Sequence, residues 1–154
     1  MSSSRQAQQF CSDSSSPLEA LLNGREAASG SYSVYKLVES LTFDDLARMA
    51  RAADESRESQ MVAAVLGVSP STVRRRFKHP GKLLNPDQGG RALRFSQVLT
   101  KAQDILGDRL TASRWFFEPA IGLGGEAPAR LLLNPFGYEL VVDLMTRIEY
   151  GVYH

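Results

Sequence analysis

Apolar residues recur with helical spacing along most of the chain. Val34, Leu37, Val38 and Leu41 predict one short helix, and Leu46, Met49, Ala50 and Ala53 predict the buried stripe of a second. Thr42 stands just before the second helix, where its side chain can cap free backbone N–H groups. Asp44 and Asp45 follow in the first turn, where the helix dipole favours anions.

Three later helices begin with the same motif, a capping side chain followed by proline. These are Ser69-Pro70, Asn85-Pro86 and Asn134-Pro135. One long helix is predicted from about Pro86 to Leu106, with buried residues Leu93, Val98, Leu99, Ala102, Ile105 and Leu106. The last helix is expected to bury Leu140, Val141, Leu144, Met145 and Ile148. No segment alternates as a half-buried strand would, so the sequence predicts an all-α fold.

The N-terminal region has a different character. Residues 1–16 are rich in serine and poor in apolar side chains, which is typical of mobile segments. Residues 17–30 hold a short apolar patch at Leu18, Leu21 and Leu22, enough for one or two loose helical turns. We therefore expect residues 1–30 to form a flexible N-terminal region.

Charge is distributed unevenly, although the net charge is only +1. Residues 67–101 carry eight basic residues against the single acid Asp87, while the segments on either side are each net negative by three. The apolar fraction of 43% and charged fraction of 23% are ordinary for a globular protein. The middle segment is thus suited to a polyanion, and the C-terminal segment to a different partner.

Residues 59–78 have the spacing of a DNA-binding helix-turn-helix. Ala63 provides the small residue where the helices cross, and Gly67 tolerates the positive φ of the turn. The apolar residues that would hold the pair together are Val62, Leu66, Val68 and Val73. The second helix lacks an apolar residue at Arg76, and Phe77 is expected to fill that position with a slight change of phase.

Residues 34–84 are therefore expected to form a DNA-binding domain whose second helix enters the major groove. Arginine can bind guanine edges there, and further basic residues can contact phosphate. The candidate DNA-binding residues are Ser69, Ser71, Thr72, Arg74, Arg75, Arg76 and Lys78. The alternatives are a basic helix face that is merely solvated, or a helix-turn-helix that has kept its fold without binding DNA.

The C-terminal region resembles the toxin-binding domain of the Xre/MbcA/ParS antitoxins of bacterial type II toxin–antitoxin modules. The matching residues are Trp115, Pro119, Leu123-Gly124-Gly125, Pro128, Leu131-Leu132, Gly137, Val141, Leu144 and the closing run from Arg147 to Tyr153. With the helix-turn-helix included, the resemblance covers roughly residues 40–154. Ala120 and Leu133-Asn134-Pro135 depart from the commonest pattern of the family, and both lie in expected loops.

The resemblance implies a partner and a mechanism. Members of this family bind a RES-domain toxin that consumes NAD⁺, occlude its cleft, tend to dimerise and repress their own operon. Residues 85–154 would then be a helical toxin-binding domain. Its C-terminal residues would enter the cleft, where their terminal carboxylate could pair with a basic group meant for the cofactor's phosphates. The candidate toxin-binding residues are Arg147, Glu149, Tyr150, Gly151, Val152, Tyr153 and His154.

Several of these residues have other interpretations. Arg147 and Glu149 could be ordinary solvated charges, and Tyr150 and Tyr153 could pack back on Leu144 and Ile148. Trp115 is expected to be structural, since large aromatic side chains more often fill a core than face a partner. A free-standing transcriptional regulator with a C-terminal dimerisation domain is the rival function.

The sequence does not favour an enzyme. His79 and His154 have no cysteine or carboxylate cluster at the spacing of a metal site or catalytic triad, and Cys11 lies in the serine-rich segment. The glycines at 122, 124 and 125 follow no strand, so they do not predict a phosphate-binding loop. We expect no metal or cofactor, no membrane partner and a cytoplasmic location.

Overall fold

The computed structural model describes residues 15–26 and 30–151. These residues form nine α-helices, two short 3-10 helices and no strand, so the predicted all-α fold is confirmed. The α-helices are α1 (Pro17–Leu22), α2 (Ser31–Ser40), α3 (Phe43–Asp54), α4 (Glu58–Leu66), α5 (Pro70–Arg76), α6 (Pro86–Leu106), α7 (Arg109–Phe117), α8 (Pro128–Leu131) and α9 (Pro135–Glu149). The 3-10 helices are Glu55–Arg57 and Ile121–Leu123. Within the described part of the chain, no helix has the length and apolarity needed to cross a membrane.

The predicted helix caps are confirmed. Thr42 caps α3 in a reciprocal arrangement: its hydroxyl accepts from the Asp45 N–H at 3.2 Å, and the Asp45 carboxylate accepts from the Thr42 N–H at 2.9 Å. The side chains of Ser69, Asn85 and Asn134 cap α5, α6 and α9, each followed by proline in the first helical position. Each cap satisfies backbone donors that the helix itself cannot satisfy.

Asp45 also connects the N-terminal segment to α3. Its carboxylate is 3% exposed and accepts hydrogen bonds from Arg25 at 3.2 Å and Arg48 at 3.1 Å. Burial alone would raise the pKa of Asp45, but the Thr42 backbone N–H and the two guanidinium groups outweigh it and lower the pKa below its usual value. The ionised carboxylate therefore holds α3 and the residues that follow α1 together.

The residues around α1 are packed against the core, whereas residues 1–30 were expected to be flexible. Leu21 is fully buried, Ala20 and Leu22 are nearly so, and α1 packs against α3 and α6. Ser16 caps the helix, and the Leu18 N–H donates to the Thr100 hydroxyl of α6 at 3.1 Å. Burial of three apolar side chains on this short helix contributes to the free energy that orders it. The expectation for residues 1–14 lies outside the described residues.

The long helix α6 forms the centre of the core. It packs against α1, α2, α3, α4, α7 and α9, and the buried residues of all these helices belong to one apolar cluster. Phe95 of α6 is fully buried and contacts Phe116 of α7 edge-on, with ring centroids 5.2 Å apart. Gly89 allows α2 to approach closely, because a β-carbon there would lie 2.7 Å from the Val38 carbonyl oxygen. A domain boundary between residues 84 and 85 remains a prediction.

We predict that Leu21→Ala lowers the free energy of unfolding by about 3 kcal/mol, because it leaves a cavity between α1, α3 and α6. Chemical denaturation followed by circular dichroism measures this change. Glu19→Gln, on the exposed side of the same helix, is the matched control and should change stability by less than about 0.5 kcal/mol. Equal stability of the Leu21 variant and the control would show that α1 does not belong to the core.

Candidate functional site: the basic helix and the C-terminal surface

The helix-turn-helix consists of α4, a three-residue turn and α5. Gly67 ends α4 with a φ of 67°, and the N–H groups of Gly67 and Val68 both donate to the Ala63 carbonyl, at 2.9 and 3.3 Å. A side chain would be strained at this φ, which explains the glycine. The apolar residues expected to hold the pair together are fully or nearly buried at positions 62, 66 and 73 and half-buried at 68.

The second helix, α5, presents its basic side chains outward. Arg74, Arg75 and Lys78 are exposed, and Arg76 is half-buried. Among the described residues, none of these four side chains forms an ion pair within 4 Å. A cationic face that its own fold leaves uncompensated is suited to the phosphates of nucleic acid.

Hydroxyl groups line the start of α5 beside this basic face. The Ser69 hydroxyl lies 3.0 Å from that of Ser71 and 3.1 Å from that of Thr72, and Arg75 donates to Thr72 at 3.3 Å. Thr72 is half-buried, so it supports Arg75 as well as facing outward. All seven candidate DNA-binding residues therefore lie on α5 or directly next to it.

Phe77 takes the position expected of it only in part. Its ring contacts the buried ring of Phe43 edge-on at a centroid distance of 5.0 Å, yet 37% of the residue stays exposed. The contact joins the end of α5 to the start of α3. Val73 and the partly buried ring of Phe77 thus pack α5 against the rest of the protein.

The Leu-Gly-Gly segment forms a tight turn after α7. Leu123 is buried, and Gly124 and Gly125 have φ values of 67° and 85°, a region that favours glycine. The Gly125 N–H donates to the Ala120 carbonyl at 3.0 Å, and the Ala120 N–H donates to the Glu126 carbonyl at 3.1 Å. Because Ala120 contributes through its backbone, its departure from the family pattern leaves this turn intact.

Two further glycines set the position of α9. A β-carbon on Gly137 would lie 1.8 Å from the Leu131 carbonyl oxygen, so only glycine permits this approach of α9 to α8. A β-carbon on Gly122 would lie 2.7 Å from Cδ1 of Leu144, so the turn before Leu123 sits directly on α9. The neighbour of Gly122, Ile121, is left 99% exposed.

The prediction that Leu140 is buried is wrong. The buried face of α9 is formed by Gly137, Val141 and Met145, and Leu140 lies on its flank with 56% of its surface exposed. Phe136, one turn earlier, is 81% exposed. The sequence signal was present, because Phe136 and Leu140 share a spacing of four that is out of phase with Val141 and Met145.

Together these residues form an exposed apolar surface in the C-terminal region. We define it by Ile121, Leu133, Phe136 and Leu140. Leu140 stands one turn before Leu144, whose side chain contacts the turn that carries Ile121, so Leu140 and Ile121 lie on the same side of α9. Several large exposed apolar side chains in one region commonly mark a binding surface.

The last turn of α9 is held by ion pairs. Glu149 binds Lys101 of α6 at 2.8 Å, and its hydrogen bond raises the pKa of that lysine. Arg147 binds Asp143 at 3.1 Å. Arg147 and Glu149 thus both pair with other residues of the chain, which agrees with their interpretation as ordinary surface charges. Each side chain remains partly exposed.

Tyr150 and Gly151, which follow these ion pairs, are exposed. Tyr150 is 76% exposed, so it does not pack back on Leu144 and Ile148. Gly151 follows with a φ of 70°. Val152, Tyr153 and His154 lie outside the described residues.

Trp115 is half-buried and lines an apolar crevice with Ala102, Ile105, Leu106, Met145 and Ile148. This position agrees with its structural interpretation.

Comparisons with known proteins match both parts of the chain. Residues 40–96 match the family model of the antitoxin Xre-like helix-turn-helix domain. Residues 101–151 match that of the antitoxin Xre/MbcA/ParS C-terminal toxin-binding domain. The two matches cover the basic helix and the exposed apolar surface respectively.

Two curated relatives carry the name antitoxin Xre. The protein from Yersinia enterocolitica serotype O:8 / biotype 1B is 35% identical over 88 residues, which are 56% of this chain and 59% of the relative. The protein from Photorhabdus laumondii subsp. laumondii is 32% identical over 92 residues, 59% of this chain and 62% of the relative. The chain thus spans about three fifths of the length of these relatives. With matches to both antitoxin domain models, the chain belongs to the Xre-type antitoxins.

Proposed function

We propose that this protein is the antitoxin of a type II toxin–antitoxin module and that it neutralises a RES-domain, NAD-consuming toxin. Its C-terminal segment blocks the active-site cleft of the toxin. The exposed Tyr150 carries the proposal, because α9 ends there with an aromatic side chain that its own core leaves uncovered. The ion pair between Lys101 and Glu149 holds the last turn in place, so the segment starts from a fixed position.

The exposed apolar surface is the second part of the proposed toxin contact. It lies within the region that matches the toxin-binding domain, and its residues Phe136 and Leu140 stand on the helix that leads to Tyr150. A toxin that reaches both this surface and Tyr150 would bury large apolar side chains at one end of α9 and the inserted segment at the other, about 20 Å away. Burial of such side chains is the usual main source of affinity at protein interfaces.

The helix-turn-helix gives the proposed antitoxin its second activity. Arg74 and Arg75 would enter the major groove of operator DNA, and Arg76 and Lys78 would contact phosphate. The protein would then repress its own operon as a homodimer within a larger complex with toxin. Both proposed partners place it in the bacterial cytoplasm and make it a binding protein rather than an enzyme.

A free-standing transcriptional regulator is the second candidate. It would use the same basic helix, and the exposed apolar surface would then join two copies of the chain. A toxin-like open reading frame beside the gene, with copurification of the two products, favours the antitoxin. Dimerisation through Phe136 and Leu140 without any such neighbour favours the regulator.

Arg74→Ala combined with Arg75→Ala is expected to abolish the mobility shift of DNA from the region upstream of the gene. The change removes two exposed cations and should lower affinity at least about tenfold. Lys36→Ala with Arg114→Ala removes the same charge elsewhere on the surface and should leave the shift intact. Toxin binding should be the same in both variants. A shift that survives the Arg74 and Arg75 changes would exclude α5 as the reading helix.

Truncation after Glu149 is expected to leave a folded protein that no longer protects cells from the toxin. The truncated chain keeps the Lys101–Glu149 ion pair and the whole buried face of α9, so its thermal midpoint should change little. Growth after induction of the toxin measures protection. Tyr32→Ala, which removes an exposed tyrosine on α2, is the control and should protect fully. Protection by the truncated chain would contradict insertion of the segment.

Phe136→Ser with Leu140→Ser should weaken toxin binding by about tenfold or more, because each buried side chain of this size contributes on the order of 1.5 kcal/mol. Calorimetric titration of toxin with each variant measures the loss. Tyr35→Ser with Leu110→Ser, at residues of similar exposure outside the surface, should bind like the unchanged chain. Unchanged toxin affinity, together with loss of an antitoxin dimer in sedimentation, would assign the surface to a second copy.

A further inference from the structure

A cleft of about 370 Å³ lies between the first turns of α6 and the start of α9. Its lining residues are Pro86, Asp87, Gly90, Arg91, Arg94, Leu133 and Pro135. It therefore joins the region that matches the helix-turn-helix model to the region that matches the toxin-binding model. None of the candidate DNA-binding residues lines it, and Leu133 is its one residue from the exposed apolar surface.

Two arginines of this cleft have unsatisfied donors among the described residues. Arg91 and Arg94 are half-buried, and the Nε atom of each is buried without a hydrogen-bond partner. In the part of the chain that the structure describes, neither guanidinium forms an ion pair within 4 Å. Arg147 also has a buried Nε without a partner, but its guanidinium pairs with Asp143. Arg48, another half-buried arginine, pairs with both Asp44 and Asp45.

The electrostatics of the cleft favour an anion. Arg91 and Arg94 stand three residues apart on one face of α6, so their charges repel. Burial, followed by the charge of Arg91, lowers the pKa of Arg94 below its usual value. Asp87 is the one acidic residue of the lining and opposes this effect without reaching ion-pair distance. Two cations against one carboxylate leave the cleft net positive.

A glycine lies beside the guanidinium of each arginine. Gly90 contributes no side chain there, and a β-carbon at this position would lie 3.5 Å from Nη1 of Arg94. Nη1 of Arg91 lies 3.6 Å from where a β-carbon of Gly67 would stand, beside the turn of the helix-turn-helix. An anion held by Arg91 would thus be next to the DNA-binding unit.

We propose that Arg91 and Arg94 form a binding site for a phosphate group. A guanidinium presents paired N–H donors that match the spacing of phosphate oxygens, and the bound anion would supply the acceptors that both side chains lack. The phosphate has two possible sources: the backbone of DNA bound at α5, or free phosphate and nucleotides. The site does not depend on the proposed toxin.

The first measurement is a titration of the full chain with inorganic phosphate, monitored by the NMR chemical shifts of the backbone amides. Chloride keeps the ionic strength constant. The chemical shifts of the amides of Gly90 and its neighbours should change and reach a plateau. Arg91→Gln with Arg94→Gln should weaken binding at least about tenfold, since it removes both charged donors. Arg114→Gln with Arg109→Gln removes equal charge outside the cleft and should leave the titration unchanged.

The second measurement is the salt dependence of binding to a random-sequence DNA duplex, because phosphate contacts do not depend on sequence. If the DNA backbone supplies the phosphate, the double change should lower the slope of log affinity against log salt by about 0.9, the value for one phosphate. An unchanged slope with a saturable phosphate titration assigns the site to free phosphate or nucleotides. An unchanged slope without a titration overturns the proposal.

Asp87→Asn provides a test in the opposite direction. It removes the one carboxylate of the lining and should strengthen phosphate binding several-fold.

Thermal unfolding of the Arg91→Gln, Arg94→Gln variant distinguishes loss of the site from loss of the fold. Its unfolding midpoint without phosphate should be equal to that of the unchanged chain or higher, because the repulsion between the two arginines is gone. Weaker binding by the Asp87 variant with an intact fold would also overturn the proposal.

Discussion

The packing of one unbroken helix, α6, against helices from both ends of the chain is the constraint on which the rest of the structure depends. Its buried residues belong to the same apolar cluster as those of α1, α3, α4, α7 and α9. Phe95 and Phe116 meet inside this cluster. The basic helix and the exposed apolar surface are therefore built on one core. Packing around α6 supports both of them.

The sequence predicted the helices well because their ends are specified locally. Thr42, Ser69, Asn85 and Asn134 each cap the helix that the pattern assigned to them, and Gly67 ends α4 as its turn requires. Long helices are harder to misplace when both ends carry such signals. The one or two helical turns expected after residue 16 are present as α1, but the sequence does not predict their burial, which depends on packing against α3 and α6.

The two candidate surfaces differ in how far the sequence could define them. The basic helix follows from spacing alone, since Gly67, Ser69 and Val73 fix which side of α5 turns outward. The C-terminal surface follows from the sequence only in part. Val141 and Met145 are buried as expected, but Leu140 is exposed. The apolar spacing of α9 fits two neighbouring stripes, and tertiary packing selects the one that contains Val141 and Met145.

The two family matches end and begin at residues 96 and 101, both inside α6. An α-helix turns about 100° per residue, so inserting a single residue between these positions would rotate the buried residues on one side of the insertion by about that angle relative to those on the other. Because both sets pack in one apolar cluster, such an insertion would break the core. The length of α6 therefore fixes the orientation of the basic helix relative to the exposed apolar surface.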